Sequence, residues 1–292
     1  VDAAKARRAV LIAGPTASGK SALALEVAER LGGIVVNTDA MQVYDVLRVV
    51  TARPGREDEG RAPHKLYGFV PPSVRFSTGR WLEAVQRVID AADPGQPLIF
   101  VGGTGLYFDA LTKGFADVPE VPAEIALQAQ QEIQGLDEAG RMRLLEREDP
   151  ETARRLKVAD PQRVERALAV KRATGRPLSS FQQASQQGLI DDFVVERMVL
   201  DPDRDVLRAR ISRRFEAMFE GGAVDEVKAL LSLHLDPSLP AMKAIGVREI
   251  ADWLAGRIEK EEAVERAIIA THQYAKRQRT WFRNRMGDWP RR

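Results

Sequence analysis

The chain has 292 residues, 44% hydrophobic and 29% charged, with a net charge of only +2, which is the composition of an ordinary globular protein. It has no cysteine, which excludes disulfides and cysteine-ligated zinc or iron–sulfur centres, and its three histidines are too far apart to suggest a histidine metal site. No apolar run reaches the roughly 20 residues needed to span a bilayer, and the first eight residues lack an apolar leader core, so a cytoplasmic protein without membrane contact is expected.

In chain order, residues 9–13 form the first short apolar run, followed by a Gly-containing loop and a helical pattern over 21–31. A second run at 34–36 and a third at 98–101 enclose another helical pattern at 78–92. Strand, helix, strand repeated this way predicts a parallel sheet with helices on its faces. After Lys113 the texture changes, and no strand pattern is visible from 122 to 188. Helix starts are signalled at Pro122, Asp149-Pro150 and Asp160-Pro161. This stretch reads as a helical insertion, with boundaries expected at 119 and 188. Residues 193–200 return to a strand pattern, and helical segments follow at about 203–220, 222–233, 241–255 and 259–285. The expected fold is therefore α/β: a P-loop-type parallel sheet formed by 1–118 and 189–292, interrupted by an all-helical domain.

The loop Gly14-Pro15-Thr16-Ala17-Ser18-Gly19-Lys20-Ser21 matches G-x-x-x-x-G-K-[ST] in full, between a strand and a helix. Its glycines let the backbone approach phosphate oxygens, and successive N–H groups with the helix N-terminus face the anion. Lys20 adds a point charge, and the Ser21 hydroxyl suits Mg²⁺. A guanine-reading Asn/Thr-Lys-x-Asp motif is absent. Asp137-Glu138-Ala139-Gly140 resembles a helicase acidic box but sits in a polar helical stretch and reads as a solvated turn. The run 98–101 ends in Gly102-Gly103-Thr104-Gly105, with no carboxylate to hold a hydrolytic metal. The loop thus reads as a diphosphate cradle that does not hydrolyse ATP. Asp39 follows the run 34–36 at the strand end where open parallel sheets bind ligands, a good place for a general base.

Together these motifs resemble the tRNA dimethylallyltransferase (tRNA isopentenyltransferase) family, in its bacterial form. The resemblance rests on the residue 14–21 loop, Asp39-Ala40-Met41-Gln42-Val43-Tyr44, Thr51-Ala52-Arg53-Pro54, Gly102-Gly103-Thr104-Gly105-Leu106-Tyr107, Ala244-Ile245-Gly246, Tyr274-Ala275-Lys276-Arg277-Gln278 and Thr280-Trp281-Phe282-Arg283. It implies transfer of a dimethylallyl group from dimethylallyl diphosphate to N6 of the adenosine 3′ of the anticodon. Asp39 is then the base. Thr16, Lys20, Arg214 and Ser21 with Mg²⁺ steady the leaving diphosphate. Asp39, Ala40, Met41, Gln42 and Thr104 face the flipped adenosine. Two departures from the family pattern stand out: Ala40 where Ser is usual, and Val50-Thr51-Ala52-Arg53-Pro54 where Gly-Thr-Ala-Lys-Pro is usual.

Charge is uneven along the chain. Residues 271–292 hold seven Lys/Arg against one acid, interleaved with Tyr274, Trp281, Phe282 and Trp289. Residues 141–176 hold eleven Lys/Arg against six acids. Such segments suit RNA phosphates and unstacked bases. The resemblance sets Gln162, Arg163, Val164, Glu165 and Arg166 against the anticodon stem-loop, with Lys276, Arg277 and Arg283 as further tRNA contacts. Taken singly, each Arg here also fits a solvated helix face, and Val164 also fits a helix core. A monomer with no obligatory protein partner is expected. The rival reading on the same loop is a small-molecule or nucleotide kinase, and a third is a catalytically silent RNA-binding module, which would need neither Asp39 nor an intact phosphate loop.

Overall fold

The computed structural model describes residues 6–116, 118–119, 121–182 and 187–292. The chain divides into two compact units, residues 1–112 with 189–292, and residues 113–188.

In the first unit, β1 (Arg8–Ala13) leads through the phosphate loop into α1 (Lys20–Leu31) and β2 (Ile34–Asn37). Then come α2 (Arg56–Arg61), β3 (His64–Lys65), α3 (Thr78–Ala91), β4 (Leu98–Gly102) and α4 (Gly105–Lys113). The five strands, completed by β5 below, are all parallel in the order β3-β2-β4-β1-β5. β1 is buried along five of its six residues and β4 along all five, as their uninterrupted apolar runs require of central parallel strands. One sheet face (Leu11, Val36, Phe100) packs on Trp81, Val85 and Ile89 of α3 and on Phe108 and Leu111 of α4. The other (Val10, Ile12, Val35, Ile99) packs on Ala24, Leu25 and Ala28 of α1. Trp81, Ala84, Val85 and Ile89 lie on one helical stripe, so α3 buries a single face.

The second unit contains α5 (Ala123–Ile133), α6 (Glu138–Glu148), α7 (Pro150–Ala153), α8 (Pro161–Thr174) and α9 (Leu178–Gln182). Three aspartates start its helices. Asp137 accepts from Gly140 N at 2.7 Å, Asp149 from Thr152 N at 3.0 Å and Asp160 from Arg163 N at 3.2 Å. The Asp137 carboxylate is thus an N-cap. Arg172 ties α8 to α5 and α6 through Glu132 (2.7 Å) and Glu148 (2.9 Å). Val164 is fully buried with Ala129, Leu145 and Leu168. Its side chain has no surface to offer RNA, so it leaves the set of RNA-facing candidates.

The chain then re-enters the sheet as β5 (Val194–Val199), in register with β1 from Arg8↔Val194 to Ala13↔Val199. α10 (Arg204–Met218) and α11 (Val224–Ser232) follow, separated by a wide turn where Gly221 and Gly222 leave helical geometry. α12 (Val247–Leu254) comes after a short 3₁₀ turn, and α13 (Lys260–Arg285) runs for 26 residues. These helices bury Phe215, Val227, Leu230 and Ile250 against Val43, Tyr44 and Leu47, so the loop after β2 has its own apolar floor. Glu226 on α11 fixes that loop by accepting from Val49 N (2.7 Å) and Val50 N (3.0 Å).

Trp81 joins the core to the site. It is fully buried, stacks on Tyr107 with centroids 4.3 Å apart, and donates to Asn37 O at 2.9 Å. Trp81→Ala is expected to lower the unfolding free energy by about 3–5 kcal/mol. Urea denaturation reads this, and a loss under about 1 kcal/mol would show that the stack does not anchor α3.

Candidate active site

The sheet brings three strand ends together. Ala13↔Gly102 and Asn37↔Val101 are the last register pairs of β1, β4 and β2, so the loops after them leave from one edge. The loop after β1 is tightly wound. Ser18 N donates to Pro15 O at 3.2 Å, Gly19 has φ 92° and opens α1, and Ala17 is held at φ 63°. A positive φ at a residue with a Cβ is uncommon, and such conformations gather at ligand clamps. Gly14 has no room for a side chain, because a Cβ there would lie 2.8 Å from Ser18 Oγ and 3.0 Å from Leu200 O. Ser18 Oγ is buried without a hydrogen-bond partner. Lys20 Nζ donates back to Pro15 O at 3.1 Å. From α10, Arg214 Nη2 donates to Thr16 Oγ1, and one turn earlier Arg210 Nη1 reaches Ser18 O at 3.4 Å. From α13, Gln278 Oε1 accepts from Thr16 N at 2.9 Å.

The loop after β2 presents Asp39. Asn37 clamps its backbone from both sides: Nδ2 donates to Asp39 O (2.9 Å) and Leu66 O (3.0 Å), and Oδ1 accepts from Asp39 N (2.8 Å). Asp39 Oδ1 accepts from Met41 N at 2.9 Å, which fixes the carboxylate plane. Its Oδ2 points to the loop after β4, where a Cβ on Gly103 would lie 3.4 Å away. Thr104 closes the arrangement: Oγ1 accepts from Ala40 N at 2.9 Å and its N–H donates to Thr38 O at 3.1 Å. Gln42 Nε2 donates to Thr51 O (2.8 Å) and Ala52 O (3.0 Å), so its amide nitrogen holds the 51–52 turn. Sequence reasoning missed Asn37, Tyr67, Tyr107 and the structural use of Gln278. The Gly102–Gly103 and YAKRQ segments contain the signal for two of them, but the pairing partners lie far apart in the chain.

The chain is similar to known proteins along nearly its whole length. A family model described as IPP transferase matches residues 42–285, and one described as isopentenyl transferase matches residues 7–65. A tRNA dimethylallyltransferase of Chelativorans sp. (strain BNC1) is 53% identical over 285 residues, spanning 96% of this chain and 97% of that one. One from Mesorhizobium japonicum is 49% identical over 288 residues, spanning 98% and 90%. The crystal structure of tRNA delta(2)-isopentenylpyrophosphate transferase from Staphylococcus epidermidis superimposes with a TM-score of 0.65 at 31% identity, over 95% of this chain and 90% of that one. A eukaryotic dimethylallyltransferase captured acting on tRNA superimposes with a TM-score of 0.78 at 27% identity, over 94% and 70%. The chain belongs to the IPP transferase family.

The site's charges act on one another. Burial pushes Lys20 down to about 8; the Asp39 charge opposes that shift and Arg214 reinforces it. Burial also lowers Arg214, again opposed by Asp39. Tyr67, Tyr107 and Tyr274 are all raised by burial and by the Asp39 charge. Two desolvated cations and three neutral phenols therefore surround one carboxylate, and an anion entering the residue 14–21 loop relieves the cation–cation repulsion.

Of the remaining expected site residues, Lys276, Arg277 and Arg283 are exposed on α13. A cavity of about 530 Å³ is lined by Lys276, Arg277, Trp281 and Arg285 among others, with Arg285 over the Trp281 ring and Arg277 over the Tyr274 ring. Arg283 is not part of that lining. Gln162, Arg163 and Arg166 are exposed and Glu165 half-buried on α8 of the second unit. Among the described residues, no helix is long and apolar enough to cross a membrane.

Lys20 gives a pH test. In the free protein its ammonium is lost as pH rises through about 8. Pyrophosphate should bind the native protein roughly 10- to 100-fold more tightly than Lys20→Gln at pH 7. In calorimetric titrations the gap should stay level up to about pH 8 and narrow as pH rises above it. A gap independent of pH would mean that Lys20 stays charged throughout.

Proposed function

We propose that this enzyme transfers a dimethylallyl group from dimethylallyl diphosphate to the exocyclic N6 of the adenosine 3′ of the anticodon in tRNA, releasing diphosphate. The observation that carries the reading is that the Asp39 loop and the residue 14–21 loop leave one sheet edge and are tied together through Gln278, Gly103 and Thr104. A general base and an anion cradle lie side by side, as nucleophilic displacement of a diphosphate requires.

N6 attacks the allylic C1 as the C1–O bond to diphosphate breaks. Asp39 accepts the N6 proton through Oδ2, since Oδ1 is engaged by Met41 N. The electron pair of the broken bond stays on the diphosphate. The N–H groups of the residue 14–21 loop, the Thr16 hydroxyl, Lys20 and Arg214 take up that growing charge, and they are in place before reaction. Ser18 Oγ, buried without a partner, gains one when the anion binds.

Among the described residues, no group of three His, Asp or Glu side chains is placed to hold a metal. Of the three loop hydroxyls, that of Ser21, in the first turn of α1, suits Mg²⁺, which keeps its waters and takes substrate phosphates as ligands. When bound there, the ion would supply further charge to the leaving diphosphate. The adenosine must leave the anticodon-loop stack to reach Asp39. The exposed bases Arg163, Arg166, Lys276, Arg277 and Arg283 are the phosphate contacts of this reading, and Thr104 and Gln42 face the extruded nucleotide.

The test is transfer of labelled dimethylallyl diphosphate to unmodified bacterial tRNA with Mg²⁺, beside an ATP hydrolysis control. Label in tRNA with idle ATP is expected, and ATP consumption without label would favour a kinase. Asp39→Asn should bind tRNA like the native enzyme and lose about 10²- to 10⁴-fold in turnover.

A further inference from the structure

We propose that Gln278 is a positioning residue of the transfer reaction, its buried carboxamide setting the distance between the diphosphate loop and the loop that carries the base. The inference rests on the reading of Asp39 and the residue 14–21 loop given above.

Gln278 lies on the buried side of α13 and is only 4% exposed. Oε1 accepts the Thr16 N–H at 2.9 Å, and Nε2 donates to Gly103 O at 3.0 Å. A backbone N–H can only donate and a carbonyl can only accept, so the amide has one orientation. Thr16 is also the residue whose hydroxyl receives Arg214. The residue after Gly103 is Thr104, which holds Thr38 through its N–H and Ala40 through its hydroxyl. Those two residues flank Asp39. One carboxamide therefore spans the leaving-group cradle and the base.

The strands cannot set this distance themselves. The β1–β4 pairing ends at Ala13↔Gly102, and beyond that pair the two loops share no ladder. Gly103 is glycine for the same reason: a Cβ would lie 2.1 Å from Gln278 Nε2. A shift of about 1 Å between base and reacting carbon costs roughly 10²-fold in rate.

The side-chain chemistry supplies a discriminating experiment. Ionised glutamate in place of Gln278 accepts from Thr16 N but cannot donate to Gly103 O. Protonated, it has the shape and the donor–acceptor pattern of glutamine. Gln278→Ala, Gln278→Glu and Asp39→Asn are compared with the native enzyme in single-turnover transfer from pH 6 to 8.5, with tRNA affinity and thermal midpoint measured for each. Gln278→Ala should lose roughly 10²-fold in single-turnover rate at every pH while binding tRNA normally. Gln278→Glu should lose a comparable factor at pH 8.5, and its rate relative to the native enzyme should climb as pH falls. A purely structural role would shift the midpoint and the active fraction without that pH-dependent recovery. Gln278→Ala within twofold of native, or a Gln278→Glu ratio flat with pH, overturns the proposal. If the alanine variant does not fold, the glutamate profile decides alone. Normal turnover in Asp39→Asn would remove the base assignment itself, whereas an inactive Asp39→Asn beside a fully active Gln278→Ala removes only the positioning role.

Discussion

Two desolvated cations held against one carboxylate are the constraint on which the rest of the site depends. Lys20 and Arg214 come from opposite ends of the chain's first unit, one on the phosphate loop and one on α10. Both are buried enough for their proton affinity to fall, and Asp39 is the charge that opposes that fall in each. Without Asp39 the pair would be two like charges in a low-dielectric pocket, which is unfavourable. Without the cations, Asp39 would have no anion cradle beside it. In the proposed mechanism these charges are redistributed over substrate: the cations to diphosphate, the carboxylate to a proton on nitrogen.

Holding these groups close depends on backbone that comes closer than side chains allow. A Cβ at Gly102 would meet Thr38 C and O at 2.2 Å, and one at Gly105 would meet the Trp281 ring at 2.1 Å. The glycines at 102, 103 and 105 are therefore a packing requirement more than a flexible tip. It lets the end of β4 press on the end of β2 and lets α13 lie against the start of α4. Rigid secondary structure then does what loops alone cannot, since sites built on strand ends and helices are held to tighter tolerances.

Much of this was legible in the sequence because it is local. The 14–21 loop, the three buried strands and the β5 return are encoded in contiguous residues, and strand ends in a parallel sheet meet at one edge whatever the details. The aspartate helix starts at 149 and 160 were readable for the same reason. The parts that were not legible have long-range causes. β3 has two residues and exists only through pairing with Val35 and Val36. α4 opens on glycine, a poor helix former, and is fixed by the burial of Tyr107, Phe108 and Leu111. Gln278 sits in a basic, aromatic stretch that reads as RNA surface, and only its burial reveals that it faces inward, toward a loop 262 residues earlier. Val164 shows the converse: a residue inside a basic segment that the helix period turns into the core.

The two departures from the family pattern have different physical consequences. At Ala40 the anchoring contact is made by the backbone N–H to Thr104 Oγ1, so losing a hydroxyl at this position leaves the loop's tie to Thr104 intact. Arg53 is a more consequential change. Its guanidinium donates to Tyr44 O (2.7 Å) and Asp45 O (3.0 Å) and lies flat against Gly68, where a Cβ would be 2.0 Å from Nη1. Both bonds come from one nitrogen, Nη1, and it is the guanidinium plane over Gly68 that a lysine ammonium would not supply. Arg53 thereby fastens the 51–53 turn to the segment that follows Asp39, and Gln42 grips the same turn from the other side through Thr51 O and Ala52 O. Arg53 therefore helps hold the loop that presents Asp39, and its guanidinium obliges position 68 to remain glycine.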